Sequence, residues 1–254
     1  MTQIVAVVNQ KGGVGKTTTA INVAAQLAGS KSSVLLVDLD PQGNASSGLG
    51  IPKQTKKTTY DVLVGGAELA SVVQETNVAQ LYVLPATADL AGAEVELVGQ
   101  ASREFALQRA LQQAAYEYIF IDCPPSLGLL TINALTAAQS VLIPVQAEYY
   151  ALEGLSQLLN TIQAVKGSTN PSLNLLGIAL TMFDKRNSLS EQVQTEVAHY
   201  FGDQLFHAVV PRNVRLAEAP SYGRTIYEHD KWSKGARAYK ALAKEVQTRL
   251  QAPA

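Results

Sequence analysis

The stretch Lys11-Gly12-Gly13-Val14-Gly15-Lys16-Thr17-Thr18 decides the fold, because it joins an aliphatic run at residues 4–8 to a segment with helical periodicity. Its three glycines allow successive backbone N–H groups to converge on an anion without interference from a Cβ atom. A helix that starts near Lys16 adds the positive end of its dipole. The stretch therefore predicts a phosphate-binding loop between a strand and a helix.

Side chains of this loop supply further groups for a nucleotide. We expect Lys16 to place its ammonium at the β- and γ-phosphates, and the Thr17 hydroxyl to hold Mg²⁺. A chance glycine-rich turn is a poor explanation, since the glycines, the Lys-Thr pair and the strand–loop–helix setting all agree. ATP or ADP is thus expected to contact Gly12, Gly13, Val14, Gly15, Lys16, Thr17 and Thr18.

Apolar runs of strand length alternate with helix-like segments along the chain. Further strands are predicted at residues 34–37, 81–84, 118–121, 141–145, 175–182 and 206–210. Helices are predicted from residue 16 and near 103–115, 127–138, 151–166, 190–201 and 234–250. Because the strand runs are apolar at every position, both faces of the sheet should be covered. This predicts an α/β fold, a mostly parallel sheet flanked by helices.

Composition excludes several classes of protein. The 254 residues are 47% hydrophobic and 16% charged with a net charge of −1, which is typical of a globular protein. One cysteine, Cys123, cannot build a disulfide framework or a CxxC metal motif. No signal peptide or membrane-length apolar run is evident, so we expect a cytoplasmic protein without membrane attachment. Residues 1–254 are predicted to form a single domain, without an N-terminal helix-turn-helix domain.

Aspartates end two of the predicted strands. Asp122 closes the apolar run at 118–121, which is the Walker B arrangement, and is expected to hold Mg²⁺ directly or through a water molecule. Asp38 and Asp40 follow the run at 34–37. Strand-terminal aspartates often only form turns, and beside a phosphate-binding loop this explanation becomes the weaker one. We place Asp38 outside catalysis, as support for its loop.

The loop departs from the usual P-loop pattern at its start. Gln10 stands in place of the first glycine, and Lys11 is an additional lysine. The sequence K-G-G-x-G-K-T-T resembles the deviant Walker A motif of the ParA/MinD superfamily of P-loop NTPases, which includes the nitrogenase iron protein. That resemblance implies an ATP-dependent homodimer in which Lys11 reaches the partner subunit's phosphates. It also implies that Asp40 positions the attacking water, so that Lys11, Lys16 and Asp40 form the catalytic set.

Longer blocks, at residues 40–45, 90–97, 121–135, 145–154 and 210–221, look like the chromosomal ParA (Soj) branch. The resemblance implies an ATPase that partitions chromosomes or plasmids and hydrolyses ATP slowly under stimulation by a ParB-type centromere-binding protein. Its ATP-bound dimer would bind double-stranded DNA without sequence preference, on the nucleoid. Arg186 and Arg215 match family arginines implicated in DNA contact. Pro211 and Asn213 match the loop beside the adenine.

Three other functions stay open at this stage. A MinD-like, membrane-associated regulator of division-site placement would need a membrane anchor, for which the last predicted helix is a weak candidate. An iron–sulfur carrier needs about two thiolates from each subunit, and the chain offers only Cys123. A small-molecule kinase would need a second substrate pocket. For five further basic residues a solvated surface is the preferred explanation over an extension of the DNA surface: Lys185, Arg224, Lys231, Lys234 and Arg237.

Overall fold

The computed structural model describes residues 2–29, 32–148 and 151–252, whose strands form one seven-stranded sheet in the order β3-β4-β2-β5-β1-β6-β7. Every neighbouring pair is parallel except β3 with β4 at the sheet edge. The strands are β1 (Gln3–Val7), β2 (Val34–Asp38), β3 (Gln74–Glu75), β4 (Leu81–Leu84), β5 (Tyr118–Asp122), β6 (Ser140–Gln146) and β7 (Asn174–Thr181). The predicted fold class is confirmed.

Helices cover both faces of the sheet. They are α1 (Lys16–Leu27), α2 (Asn44–Gly48), α3 (Thr59–Leu63), α4 (Leu90–Val98), α5 (Ala106–Leu111), α6 (Leu129–Ala137), α7 (Ala151–Lys166), α8 (Ser188–Phe201), α9 (Val214–Glu218), α10 (Ile226–Asp230) and α11 (Lys234–Gln251). Successive residues of β1 enter different cores, Val5 and Val7 on one side and Ala6 on the other. This double burial is why the strands are apolar at every position.

The C-terminal helix α11 docks onto the domain. Tyr239, Leu242 and Val246 are fully or almost fully buried in the same core as α1. The hydroxyl of Tyr239 also lies 3.1 Å from that of Thr19 on α1, and the two share a buried hydrogen bond. The apolar face of α11 is therefore used inside the molecule. No helix in the described parts of the chain is long and apolar enough to cross a membrane.

The expected strand at residues 206–210 is wrong. Phe206 and Val210 donate backbone hydrogen bonds to β7, at Ile178 and Leu180. Between them, the amides of His207 and Ala208 donate to the Glu245 carboxylate of α11. The Glu245 side chain of α11 thus accepts the hydrogen bonds that a neighbouring strand would otherwise accept. Among the described residues, this segment forms only isolated β-bridges.

Parallel pairing brings three chain segments to one edge of the sheet. Asp122 at the end of β5 is level with Val7 of β1 and with Asp38 of β2. The glycine-rich loop follows β1 directly, so the loop and both aspartates meet at the carboxyl ends of the strands. Ligands of open α/β sheets bind at this edge.

Candidate nucleotide-binding site

The glycine-rich loop has the backbone conformation that its sequence predicts. Gly13 and Gly15 have φ angles of 75° and 88°, in the left-handed region that favours glycine. Helix α1 begins immediately after Gly15, and no side chain caps its first amides. The Thr181 hydroxyl of β7 donates to the carbonyl oxygen of Val14 at 2.8 Å and anchors the loop to the sheet. The free amides of the first turn can therefore donate to an anion.

The Lys16 side chain packs against the glycine-rich loop. Its side chain is buried, and its Nζ donates to the main-chain oxygen of Lys11 at 3.1 Å. Burial lowers the pKa of Lys16, while the charge of Asp122 acts in the opposite direction. An anion bound in the loop would offset the desolvation of this ammonium.

Asp122 is a buried carboxylate at the end of β5. It is fully inaccessible to solvent, and neither side-chain oxygen has a hydrogen-bond partner among the described residues. Burial, followed by the neighbouring charge of Asp38, raises the pKa of Asp122 well above its usual value, and nearby Thr17 and Lys16 offset only part of this effect. Buried polar groups in native proteins are almost always paired. An orphaned carboxylate beside a threonine hydroxyl fits a Mg²⁺ site, for which oxygen atoms are the preferred ligands.

Asp38 is equally buried, but its oxygens are occupied. It accepts hydrogen bonds from the amide and hydroxyl of Ser46, at 2.8 and 2.6 Å, and from the amide of Asp40 at 3.2 Å. Burial raises the pKa of Asp38 to about 6, against the lowering effect of the Ser46 hydrogen bonds. The contacts tie β2 to α2 and agree with a supporting role. Asp40 is mostly buried and accepts from the amide of Gln42 at 2.9 Å.

The extra lysine, Lys11, forms an ion pair at the surface. Lys11 Nζ lies 3.1 Å from the carboxylate of Glu148, and both side chains are more than 40% exposed. Its amide donates to the Asn9 side chain at 3.0 Å, which orients the start of the loop. In the single chain the Lys11 ammonium is thus held by Glu148 at the surface. Glu148 carried no recognisable signal in the sequence, since it lies 137 positions away.

A cavity of about 390 Å³ adjoins the glycine-rich loop. Pro211 and Asn213 both line it, together with Met182 and the buried Tyr239. The side-chain oxygen of Asn213 is engaged, because it accepts from the amide of Arg215 at 3.0 Å and caps α9. Mostly apolar walls next to a phosphate-binding loop suit a nucleobase. Met182 and Tyr239 come from distant elements, so nothing in the sequence pointed to them.

The structure separates the two arginines expected to contact DNA. Arg186 lies between β7 and α8 and lines an open groove of about 1010 Å³. Arg215 is not part of that lining; it lies on α9, with Glu218 at 2.8 Å and Asp230 at 3.8 Å. The cationic side chains of this basic groove, as we call it, are Lys185, Arg186, Arg212, Lys234 and Arg237.

Another cavity, of about 800 Å³, lies beside the residues that precede β2 and β5. Its lining includes Ser33, Tyr82, Arg109 and Tyr116 and none of the predicted site residues. Because Ser33, Tyr82 and Tyr116 lie at or near the amino ends of β2, β4 and β5, the cavity is separate from the carboxyl edge where the aspartates and the glycine-rich loop converge. We assign it no role in nucleotide binding.

Known proteins resemble the chain over most of its length. Residues 2–175 match the family described as AAA domain. The sporulation initiation inhibitor protein Soj of Bacillus subtilis is 57% identical over 249 residues, which cover 97% of this chain and 98% of that protein. The chromosome partitioning protein ParA of Myxococcus xanthus is 56% identical over 250 residues, covering 97% and 88%.

Solved structures extend the similarity to nucleotide-bound proteins. A Mycobacterium smegmatis protein named cobyrinic acid a,c-diamide synthase, with bound ADP and magnesium, is 41% identical, with a TM-score of 0.84 and coverage of 96% and 93%. The septum site-determining protein MinD from Pyrococcus horikoshii, complexed with Mg-ADP, is 27% identical, with a TM-score of 0.77 and coverage of 97% and 96%. The similarity therefore includes the nucleotide edge of the fold.

Proposed function

This chain belongs to the ParA/Soj family of chromosome-partitioning ATPases, and we propose that it uses ATP to control its binding to DNA during partition. It is an ATPase with ATP or ADP and Mg²⁺ as its ligands. The observation that carries the proposal is a shared wall: Pro211 and Arg212 line both the cavity beside the glycine-rich loop and the basic groove. A nucleotide and a polyanion would thus contact opposite sides of the same segment.

We assign the nucleotide contacts as follows. The amides of residues 12–18 and the Lys16 ammonium would bind the phosphates, and the base would enter the cavity lined by Pro211 and Asn213. Thr17 and Asp122 would hold Mg²⁺, which supplies positive charge to the phosphates during transfer. Both side-chain oxygens of Asp122 are available to a cation, because no donor among the described residues hydrogen-bonds to them.

Two further residues are proposed for hydrolysis. Asp40 lies on the loop after β2, where the amide of Gln42 occupies one of its carboxylate oxygens, and would orient the attacking water. Lys11 would leave Glu148 and reach the phosphates of a second copy of the chain when an ATP-bound dimer forms. Coupling of the exposed lysine to dimerisation would keep hydrolysis slow in the single chain. A ParB-type partner would stimulate this step and release the DNA.

The basic groove supports DNA binding in a chain whose net charge is only −1. Its five cationic side chains come from three separate segments, around residues 185, 212 and 235, and Asp184 is the only carboxylate in the described lining. Lysine and arginine contacts to phosphates carry no sequence information, as non-specific binding requires. Arg186 would contact DNA phosphates within this groove. Arg215 would contact them from α9, once a phosphate replaces Glu218 as its ion-pair partner. Dimerisation would double the surface and place the protein on the nucleoid.

The MinD-like alternative is less well supported. A peripheral membrane protein needs an exposed amphipathic helix or tail, whereas the apolar face of α11 is buried against the core. We therefore propose residues 1–254 as one cytoplasmic ATPase domain whose partner is DNA. Liposome binding that requires the last 15 residues of the sequence would favour the alternative.

Amide synthesis, suggested by the name of the Mycobacterium protein, also lacks support in this chain. Acyl transfer through a covalent intermediate commonly uses an accessible nucleophilic thiol. Cys123 is fully buried, and burial raises the pKa of its thiol well above the usual value. The more similar relatives, at 56–57% identity, are sporulation and chromosome-partitioning proteins.

The test is binding to random-sequence duplex DNA with ATP, ADP or no nucleotide across a salt series. We expect ATP-dependent binding that weakens steeply with salt. Lys16→Ala should abolish nucleotide binding, whereas Asp40→Ala should keep ATP and DNA binding but lose turnover. Equal DNA affinity in all three nucleotide states would refute ATP control, and no binding in any state would refute the DNA function.

A charge reversal tests the groove itself. Arg186→Glu should weaken DNA binding and reduce the salt slope by about one to two, because a phosphate contact is removed and a like charge is added. Lys53→Glu is the matched control, since Lys53 is exposed and lies outside the described groove lining. If both reversals weaken binding equally, net charge rather than the groove controls DNA affinity.

A further inference from the structure

A carboxylate lies inside the basic groove. Asp184 is part of its lining and pairs with Arg186 through two parallel hydrogen bonds, from Nε at 3.1 Å and from Nη2 at 2.8 Å. The Arg186 guanidinium holds the pKa of Asp184 down to about 2, and the charge of Arg212 contributes to this lowering. Asp184 is therefore ionised throughout the physiological pH range and faces two groove arginines.

The geometry of this pair is that of an arginine bound to a phosphate. A guanidinium presents two parallel N–H groups that match two oxygens of either a carboxylate or a phosphate. Both Arg186 groups of this fork are used by Asp184. A DNA phosphate that binds Arg186 in the same way must displace the Asp184 oxygens.

Among the groove cations and carboxylates that the structure describes, Arg186 alone has such a competitor. Among the residues that the structure describes, no carboxylate forms an ion pair with Lys185, Arg212, Lys234 or Arg237. The Arg186 side chain is 90% exposed, so water weakens the pair and DNA can replace it. Asp184 thus lowers the affinity of the groove for polyanions without closing it.

We propose that Asp184 is an internal competitor for phosphate, which limits DNA binding by the basic groove by occupying Arg186. This inference rests on the proposed DNA-binding function. It gives the groove a threshold: a ligand must supply enough phosphate contacts at once to displace the carboxylate. A long duplex meets that condition, whereas a single phosphate group does not.

The test is the variant Asp184→Asn, which removes the charge and retains the local turn. The amide of Arg186 donates to Oδ1 of Asp184 at 3.0 Å, and an asparagine oxygen can accept the same bond. Glu75→Gln is the matched control, because Glu75 is an exposed acid on β3, at the sheet edge opposite β7. Both variants change the net charge by the same amount.

Affinity for a labelled random-sequence duplex is measured with Mg-ATP at increasing salt. We expect Asp184→Asn to bind about three- to fivefold more tightly than the wild type near 0.1 M salt, with the difference shrinking as salt screens the pair. Glu75→Gln should change the affinity by less than about twofold. In an Arg186→Ala background the gain from Asp184→Asn should fall below about twofold, because the competitor acts through Arg186.

Three results would overturn the inference while leaving DNA binding intact. They are an unchanged affinity of Asp184→Asn, an equal gain in Glu75→Gln, and a full gain that persists without Arg186. Absence of DNA binding by the wild type with Mg-ATP would instead overturn the proposed function. The wild-type arm therefore separates the two failures.

Discussion

Replacing Asp122 with asparagine should stabilise the ligand-free protein and remove its response to magnesium. Asp122 is inaccessible to solvent, and neither oxygen has a partner in the described structure. Its charged form is therefore penalised in the folded state until a cation arrives. Asparagine has nearly the same shape and no charge, so Asp122→Asn tests the electrostatic cost with little change in packing.

The size of the effect follows from the cost of keeping this carboxyl neutral. An aspartate in the unfolded chain has a pKa near 3.9, so holding it protonated at pH 7.5 costs at most about 5 kcal/mol. An asparagine amide without partners has its own burial cost of about 1–3 kcal/mol. We expect the free energy of unfolding of the variant to exceed that of the wild type, by no more than about 4 kcal/mol.

The pH dependence has a definite sign. Because burial raises the pKa of Asp122, the penalty is complete above the folded-state pKa and vanishes as pH falls toward the unfolded-state value. The stability difference between variant and wild type should therefore shrink on acidification, by up to about 1.4 kcal/mol per pH unit. Urea unfolding at pH 5–8 without nucleotide measures this difference.

Magnesium provides the second arm of the same assay. Mg-ATP at a hundred times its dissociation constant should stabilise the wild type by about 2.7 kcal/mol. For Asp122→Asn, the stabilisation by ATP should be the same whether Mg²⁺ is present or is removed by EDTA. Asp203→Asn, a change at an exposed acid, is the control. A variant less stable than the wild type, or a pH-independent difference, would refute the cost assigned to Asp122. A retained magnesium response would remove it from the metal site.

Two further predictions concern contacts that hold the site. Tyr239→Phe should lower the free energy of unfolding by about 1–2 kcal/mol, because it leaves the buried Thr19 hydroxyl without its partner. Urea unfolding measures this loss of stability. An equal loss in the exposed control Tyr200→Phe would contradict the prediction. Glu148→Gln should strengthen ATP-dependent self-association by at most about fivefold, because an exposed ion pair restrains Lys11 only weakly. Sedimentation with ATP measures the change, and weaker association would contradict the proposed release of Lys11.

Local patterns were enough to predict six of the seven strands and the phosphate-binding loop, although they also predicted a strand at residues 206–210 that does not form. Aliphatic runs at every position marked β1, β2, β4, β5, β6 and β7 because a parallel sheet is buried on both faces. Glycine spacing marked the loop because left-handed backbone at Gly13 and Gly15 is a local requirement. Helices α2, α3, α4, α9 and α10 were not predicted, and in all of them but α4 the five residues carry too little periodicity to detect.

The sequence by itself determined which residues could bind phosphate and metal, through spacing within single segments such as the glycine-rich loop and the strand ending in Asp122. Only the tertiary structure decided which of them have competing partners. Asp38 accepts hydrogen bonds from Ser46 and Asp40, while Asp122 has no donor among the described residues, Lys11 is paired with Glu148, and Arg186 with Asp184. Three of these four environments depend on residues packed around the site from elsewhere in the chain. Hydrogen bonding, burial and charge at a side chain are properties of its surroundings in space, and those surroundings exist only once the chain has folded.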